Sequence, residues 1–423
     1  MINFEPSSLK DPFIAAVRAL HAFAEIILDE WEYMHEPDFD FDDDDVELTV
    51  TPETVFSFSV GADESVDATV SELLALADEL PESKVVDHLM YIGPTRAYVR
   101  VEPTNTAAYR LVNHLMQYPS PTARRFEVTA GDCTFALVNG YTPFAIHMLE
   151  QGEYDRDAFP TYHDHDLFIE ARYPPGTKDD AWRELLPAFL FEVNERTGMA
   201  FAPTPRPEYA EIWPEEYDAD QYLPQLDALR LRPLMTGPGM ESLLRLYERA
   251  TGRENDPEQH LVGYIKVMEY VAATVVNTER NLQVRRRLLS QRALAPDAGF
   301  IRDLVQLVEA QRLFKKDSEA LRLTIETCCD PVDLAPYAPP HQKALAALRE
   351  TSASADRKKA LDALSGTLSA TRNMFSHAKA NYSLTGEECP ETELPQLIEC
   401  ARVAAQQCVR WFALSDVSLR IVD

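Results

Sequence analysis

The sequence predicts an α+β N-terminal domain followed by an all-α C-terminal domain that folds as an antiparallel helical bundle. Short β-rich segments alternate with helical ones through residues 1–200, proline is concentrated in residues 201–239, and only helical periodicity follows. Because proline interrupts both helices and strand pairing, the middle range is predicted to be an extended linker. The predicted domains are therefore residues 1–200, 201–239 and 240–423.

The N-terminal half is predicted to contain neighbouring strand pairs rather than β-α-β units, which favours α+β over α/β. The strands at 46–50 and 55–60 are expected to pair with each other, and those at 125–129 and 133–138 to form a hairpin. Helices are predicted at 12–34, 66–80, 106–117 and 178–197, and the other strands at 85–92, 96–102 and 167–173.

The C-terminal half has no strand signal of any length, and its helices are joined by short connections, which is typical of a bundle. They are predicted at 240–251, 257–276, 278–291, 299–314, 318–327, 340–350, 355–382 and 392–414.

The composition excludes several classes of protein. No run of about 18 apolar residues occurs and the N-terminus lacks the layout of a signal peptide, so no membrane span is predicted and a cytoplasmic protein is expected. The six cysteines include no Cys-x-x-Cys pair. Cys400 and Cys408 lie two helical turns apart among apolar residues, which favours reduced core thiols over disulfides or a zinc ribbon.

The formal charge of −30 comes from the first half of the chain. Residues 1–230 contain 15 Lys+Arg and 45 Asp+Glu, out of 40 and 70 in the whole chain. Residues 231–423 therefore contain 25 of each. The second half is neutral and carries basic clusters at Arg285–Arg287, Lys315–Lys316 and Arg357–Lys359. An RNA partner is therefore compatible with this half.

Two N-terminal segments contain metal-binding residue types. The acidic run Asp38–Glu47 lacks the glycine and alternation of an EF-hand loop, so a solvated loop is favoured over a calcium site. His163 and His165 alternate with aspartates, but no third ligand cluster follows, so a polar loop entering the next strand is favoured over a metal site. Arg110–His114 is interpreted as helix surface, and neither a metal nor another cofactor is predicted.

The stretch Thr371–Tyr382 places an arginine, an amide and a histidine within six residues on a predicted helix. Asn373 and His377 are four residues apart and share a face, and the long side chain of Arg372 can reach the same side. Met374 and Phe375 are expected to point away and pack. The spacing alone is common by chance, and the asparagine directly after the arginine makes it rarer.

This set of side chains suits attack of an RNA 2′-hydroxyl on its own phosphodiester. His377 would act as acid or base, Arg372 would stabilise the charged phosphorane, and Asn373 would orient the imidazole or a substrate oxygen. These residues need no metal for that reaction. In-line cleavage needs both an acid and a base, and one motif supplies only one imidazole. We therefore expect a homodimer in which two such helices are paired.

Arg372-Asn373-Met374-Phe375-Ser376-His377 resembles the Arg-x(4–6)-His signature of the HEPN superfamily of helical ribonucleases. Leu261–Tyr270 resembles the helix of that family that ends in a glutamate and packs against the motif helix. The resemblance covers residues 240–415 and implies a metal-independent endoribonuclease, homodimers, a cyclic phosphate product, and roles in phage defence, abortive infection or toxin–antitoxin systems.

The resemblance implies that Arg372 and His377 are the catalytic residues and that Asn373 supports them. Glu269 is a supporting candidate whose alternative role is a salt bridge within the bundle, and Lys379 and Tyr382 are further supporting or RNA-binding candidates. The leading hypothesis is an endoribonuclease of unspecified RNA target, regulated by an acidic N-terminal domain that senses a trigger or binds an antitoxin partner. The alternatives are a non-catalytic module that binds RNA or nucleotides, and a structural interaction protein.

Overall fold

A computed structural model describes residues 2–19, 48–61, 64–87, 89–118, 123–139, 165–205, 218–252, 256–309, 317–376 and 384–422. The chain divides into two compact units, Met1–Leu234 and Met235–Asp423. The first is α+β with an antiparallel sheet and the second is helical, so the predicted order of the two fold classes is confirmed. Within the described ranges, no helix has the length and apolar character needed to cross a membrane.

The N-terminal unit is built around a seven-stranded sheet in which every pair of neighbours is antiparallel. The strands of this unit are β1 (Ile2–Phe4), β2 (Leu48–Val50), β3 (Val55–Gly61), β4 (Glu64–Thr69), β5 (Lys84–Val86), β6 (Met90–Ile92), β7 (Arg96–Pro103), β8 (Ala123–Ala130), β9 (Cys133–Asn139), β10 (Leu167–Arg172) and β11 (Phe201–Pro203). The order of the strands in the seven-stranded sheet is β5-β6-β7-β10-β9-β8, and β11 pairs with the C-terminal end of β7.

The hairpin of β8 and β9 is confirmed, but the predicted pairing of 46–50 with 55–60 is wrong. β2 pairs in parallel with β1, and β3 pairs with β4 in a separate hairpin. A local apolar pattern indicates that a segment is extended, but it does not specify which strand lies beside it. The segment predicted as one strand at 85–92 is also two strands, β5 and β6, which pair with each other.

The helices of this unit differ from the predicted ones where a cap or a proline sets a boundary. The Thr69–Glu72 capping box starts one helix at Val70 instead of residue 66, and Pro187 separates two helices in the range predicted as one. The helices are α1 (Lys10–Ala19), α2 (Val70–Glu79), α3 (Thr106–Gln117), α4 (Asp179–Arg183), α5 (Leu186–Thr197) and α6 (Ala219–Ala228).

α3 has the predicted bounds because Asn105 caps it, its side chain accepting a hydrogen bond of 3.0 Å from the amide of Ala108. His114 on this helix is buried between the rings of Tyr118 and Tyr222. The interpretation of Arg110–His114 as helix surface is therefore wrong for the histidine.

The two faces of the central strands differ in chemistry. Phe135 of β9 stacks on Phe189 of α5 with ring centroids 5.6 Å apart, which covers one face with apolar contacts. On the other face Glu170 of β10 is fully buried and accepts hydrogen bonds from Tyr98 at 2.8 Å and from Arg124 at 2.7 Å. Alternation of side chains along each strand separates the two sets.

The range 201–239, predicted as an extended linker, contains regular structure. β11 extends the sheet and α6 follows, while the described residues 229–236 have no regular secondary structure. The division between the units falls after Leu234, inside this proline-rich range. A proline at the end of β11 is accommodated because that strand lies at the edge of the sheet.

The helices of the C-terminal unit agree with the predicted ones to within two residues at most described ends. The predicted helices 299–314 and 355–382 extend beyond the described residues. The helices are α7 (Met240–Ala250), α8 (Pro257–Leu288), α9 (Ala298–Glu309), α10 (Asp317–Cys328), α11 (Pro331–Leu334), α12 (Lys343–Ala346), α13 (Ser354–Ser376) and α14 (Leu394–Leu414).

α8 is the central helix of the bundle and packs against α7, α10, α13 and α14. The predicted break at residue 277 is wrong, because Asn277 sits inside the helix and its side-chain amide donates to the carbonyl of Leu419 at 2.9 Å. Gly263 allows the close approach of α7, since a Cβ there would lie 2.8 Å from the Cβ of Ala250.

The predicted helix at 340–350 is reduced to the single turn of α12. Two prolines precede it, and the amide and Nδ1 of His341 both contact the carboxylate of Glu393, at 2.8 and 2.7 Å. Those contacts fix this segment to the start of α14.

Candidate functional site

The C-terminal end of α13 carries the described part of the Arg-Asn-x-x-x-His motif. Arg372 and Asn373 are half-buried there. The preceding residue, Thr371, is fully buried, and its hydroxyl accepts a hydrogen bond of 2.9 Å from the amide of Cys389. This bond ties the end of α13 to the segment before α14, so Arg372 projects from a fixed backbone.

Arg372 forms an ion pair with Glu269 of α8. Its Nη2 lies 3.0 Å from Oε1 of Glu269, and the two side chains are 30% and 29% exposed. A guanidinium has five N–H donors, so the pair leaves donors that can face an incoming oxyanion. The structure thus brings together two of the predicted site residues on two helices and leaves them accessible to solvent.

A cleft of about 550 Å³ lies between α7, α8 and the end of α13, and neither Arg372 nor Glu269 lines it. Lys266, one turn before Glu269, and Phe375, one turn after Arg372, both line it. Ser376, the last described residue of α13, also lines it and immediately precedes His377 in the chain. The cleft therefore occupies the end of the motif helix.

The position of Phe375 corrects the expectation that it packs inside the bundle. Phe375 is half-buried and lines the cleft. It follows Arg372 by three residues, and residues with that spacing lie on the same side of a helix. Lys266 was not among the predicted site residues. Its spacing of three residues from Glu269 was the available signal, since that spacing places both on one face of α8.

The charges around the cleft are of both signs. Lys266 is exposed and has no ion-pair partner among the described residues. Asp256 and Glu258, also exposed, line the cleft at the start of α8. Oδ1 of Asp256 accepts a hydrogen bond of 2.7 Å from the amide of Gln259 and so caps the helix. Arg249, on α7, also lines the cleft, so two cations and two carboxylates surround it.

The other two histidines of the C-terminal unit have structural partners. Nδ1 of His260 lies 2.7 Å from the carbonyl oxygen of Ala250, and its ring stacks on Tyr264. His341 is bound to Glu393, and the hydrogen bonds from its amide and ring lower the pKa of that carboxyl. Neither histidine is among the described residues that line the cleft.

Three of the predicted site residues, His377, Lys379 and Tyr382, lie outside the described residues, as do Lys315–Lys316. The other basic clusters are partly engaged. Arg287 pairs with Asp303 at 3.4 Å, and Arg357 donates to the backbone carbonyls of Glu350 and Ser352. Arg285 and Arg286 are exposed on the last turns of α8.

The N-terminal metal candidates fall only partly within the described residues. Asp38–Glu47 and His163 lie outside them, while the carboxylate next to His165, that of Asp166, is fully buried and pairs with Arg100 at 2.7 Å. The described part of the chain contains no group of three or more His, Cys, Asp or Glu side chains placed to hold a metal ion.

Comparison of the chain with protein-family models finds no match, and comparisons with curated proteins and with solved structures find none either.

Proposed function

We propose that the C-terminal unit is a HEPN-type endoribonuclease in which Arg372, Asn373 and His377 carry out the reaction. The observation that supports this most is the solvent-accessible ion pair between Arg372 and Glu269, which lies one helical turn from the cleft residues Lys266 and Phe375. Glu269 would hold the guanidinium in position, and the donors it leaves open would contact the scissile phosphate.

In the proposed reaction the 2′-hydroxyl of one nucleotide attacks its own 3′-phosphate. The P–O5′ bond breaks, the hydroxyl proton passes to a base, and an acid protonates the departing 5′-oxygen, leaving a 2′,3′-cyclic phosphate. His377 would serve as one of these two groups, because imidazole gains and loses protons near neutral pH. Arg372 would stabilise the charge that develops on the phosphorane oxygens.

A homodimer would supply the second imidazole. The other two histidines of the C-terminal unit, His260 and His341, have structural partners. Two copies of the motif facing one RNA strand would then provide both acid and base.

The test is incubation of purified full-length protein with RNA in the presence of a chelator. We expect the wild type to produce fragments with 2′,3′-cyclic phosphate ends, and His377→Ala and Arg372→Ala each to reduce the rate by at least a hundredfold. Lys343→Ala, at an exposed lysine of α12 outside the basic clusters, is the matched control. Cleavage that persists in His377→Ala, or that requires added metal, would overturn the proposal.

A structural role for the ion pair is the second candidate, favoured because the pair joins α8 to α13 within one bundle. In that case wild-type protein leaves RNA intact, and Arg372→Ala lowers the melting temperature without affecting RNA binding. Binding without cleavage by the wild type would instead indicate a non-catalytic RNA- or nucleotide-binding module.

We further propose that the acidic N-terminal unit restrains the nuclease by repelling RNA until a trigger or an antitoxin partner binds. The support is its excess of carboxylates, 45 Asp+Glu against 15 Lys+Arg in residues 1–230. Deleting residues 1–230 should then strengthen RNA binding at low salt, and the difference should shrink as salt screens the charges. Weaker binding after the deletion would contradict this restraint.

A further inference from the structure

We propose that the cleft between α7, α8 and α13 is a subsite for one unpaired nucleotide of a single-stranded RNA, with Lys266 on its phosphate and Phe375 stacked on its base. The inference rests on the proposed function, because it places the substrate beside the Arg372–Glu269 pair. It adds the substrate class and two binding residues that the Arg-Asn-x-x-x-His motif does not contain.

The size of the cleft suits a ligand of this class. Its volume of about 550 Å³ falls within the range of about 300–1,000 Å³ that is typical of pockets for small ligands. A single nucleotide fits such a space, whereas a base that remains paired in a duplex could not enter it. Recognition of unpaired bases is also the common way in which proteins bind RNA specifically.

Lys266 is placed to bind a phosphate next to the proposed reaction centre. It lies three residues from Glu269, about 4.5 Å along the axis of α8 at 1.5 Å per residue. Its ammonium group is exposed and has no acid partner among the described residues. An unpaired lysine in a cleft acts as a point charge for phosphate oxygens, so it would hold a phosphate neighbouring the one that Arg372 contacts.

Phe375 provides the surface for the base. It is half-buried, lines the cleft, and makes no contact with another aromatic ring in the described residues. A half-exposed ring near a positive charge is the usual platform for an unpaired base in single-strand binding proteins. Stacking on phenylalanine tolerates all four bases, because every base has a π-face.

The balance of charges limits how much phosphate the cleft can accept. Asp256 and Glu258 line the cleft together with Lys266 and Arg249, so the charge of a ligand with several phosphates would not be neutralised there. The carboxylates can instead accept hydrogen bonds from the amino groups of a base or the hydroxyls of a ribose. We therefore expect nucleoside monophosphates to bind better than triphosphates.

Binding can be tested without cleavage by using a fluorescent single-stranded RNA whose 2′-hydroxyls are methylated and so cannot attack the phosphate. We expect Lys266→Ala and Phe375→Leu, in the full-length protein, each to raise the Kd about tenfold. Lys266→Arg and Phe375→Tyr, which keep the charge and the ring, should bind within about twofold of the wild type. Lys343→Ala is the matched control, since Lys343 is an exposed helical lysine outside the cleft lining and outside the basic clusters.

Competition identifies the ligand class. Nucleoside 5′-monophosphates should displace the labelled RNA from the wild type, while inorganic phosphate and duplex RNA should not at the same concentration. Equal competition by inorganic phosphate, or unchanged Kd values for both Lys266→Ala and Phe375→Leu with unaltered melting temperatures, would overturn the subsite.

The outcomes for the two proposals are separable. If the wild-type protein binds the methylated RNA through Lys266 and Phe375 but never cleaves ordinary RNA, the subsite is supported and the proposed nuclease is contradicted. If the protein cleaves RNA through His377 and neither Lys266→Ala nor Phe375→Leu changes the KM, the nuclease is supported and the subsite is contradicted.

Discussion

The guanidinium of Arg372 lies 3.0 Å from the carboxylate of Glu269, and this ion pair links the end of α13 to the middle of α8. Both side chains are close to one-third exposed, and ion pairs with that degree of solvation contribute about 0–1 kcal/mol to stability. The pair is thus too weak to be a main support of the bundle. Its position one helical turn from the cleft residues Lys266 and Phe375 is the more informative property.

Replacing Glu269 separates a structural role of the pair from a functional one. We expect Glu269→Gln to lower the free energy of unfolding by less than about 1 kcal/mol, because the lost interaction is partly solvated. RNA cleavage should fall by at least tenfold, since the guanidinium loses the group that orients it. Urea unfolding and initial cleavage rates measure the two effects.

Glu326→Gln is the control for that substitution. Glu326 pairs with Arg322 of the same helix, α10, at 2.9 Å and with Lys358 of α13 at 3.7 Å, so it also joins two helices, and it lies outside the cleft lining. Glu326→Gln should lower the free energy of unfolding by a similar amount and leave the rate of RNA cleavage unchanged. Equal losses of activity in the two variants would show that the effect of Glu269→Gln arises from weakening of the bundle.

Local signals in the sequence predicted the elements better than their partners. The bounds of α3 follow from the cap at Asn105, and the β8–β9 hairpin follows from the turn at Gly131, whose φ is +59°. The pairing of β2 with β1 could not be predicted, because it joins segments whose apolar patterns fit several neighbours equally well.

The same limit applies to the candidate site. The spacing of Arg372 and Asn373 on one helix was visible in the sequence, and Glu269 was a candidate through the family resemblance. The cleft was not predictable, since it depends on how closely α7 approaches α8 at Gly263. Helical periodicity predicts a buried face but not the gap left between two packed helices.

Removing one partner of the buried ion pair between Arg100 and Asp166 should destabilise the N-terminal unit strongly. The side chains are 7% and 0% exposed, and a buried charge that loses its partner costs about 3–5 kcal/mol. We expect Asp166→Asn to lower the free energy of unfolding by that amount. Urea unfolding gives the size of the effect, and hydrogen exchange assigns it to the sheet.

Asp179→Asn is the matched control for Asp166→Asn. Its pair with Lys84 has a similar length, 2.9 Å, but the side chains are 40% and 58% exposed, so its loss should cost about 0–1 kcal/mol. Similar costs for the two variants would contradict the burial of Asp166.

The buried carboxylate of Glu170 should make the N-terminal unit sensitive to acid. Burial raises its pKa, but the hydrogen bonds and charge of Arg124, with the hydroxyl of Tyr98, outweigh burial and leave the pKa below its ordinary value. A carboxyl whose folded pKa is lowered stabilises the protein above its unfolded pKa, about 4.3, and the contribution is lost as pH falls through the folded pKa.

Glu170→Gln should therefore reduce the free energy of unfolding by about 1.5–3 kcal/mol at pH 7, where a hydrogen-bonded charge is removed. The difference from the wild type should stay constant from pH 7 to about pH 5 and narrow below about pH 4. Urea titrations of both proteins at several pH values measure it. Curves that remain parallel down to pH 3 would contradict the proposed role of the Arg124–Glu170 pair.

The cysteines should differ sharply in their reactivity toward thiol reagents. All six are free, and Cys400 and Cys408 are fully buried in α14, which confirms the prediction of reduced core thiols. Burial raises the pKa of Cys400 to about 12, so almost none of it is thiolate at pH 8, whereas Cys328 is partly exposed. Because the thiolate is the reactive form, native protein should show one fast-labelling thiol.

Labelling with a disulfide reagent at pH 8, followed by mass spectrometry, tests this. Cys328 should react at least tenfold faster than Cys400, and Cys328→Ser should remove the fast phase. Denaturant should make all six cysteines reactive, since their protection comes from packing. Rapid labelling of Cys400 in native protein would mean that α14 separates readily from the bundle. The end of α13 is tied to the segment before α14 through Cys389, so it would then not hold Arg372 in place.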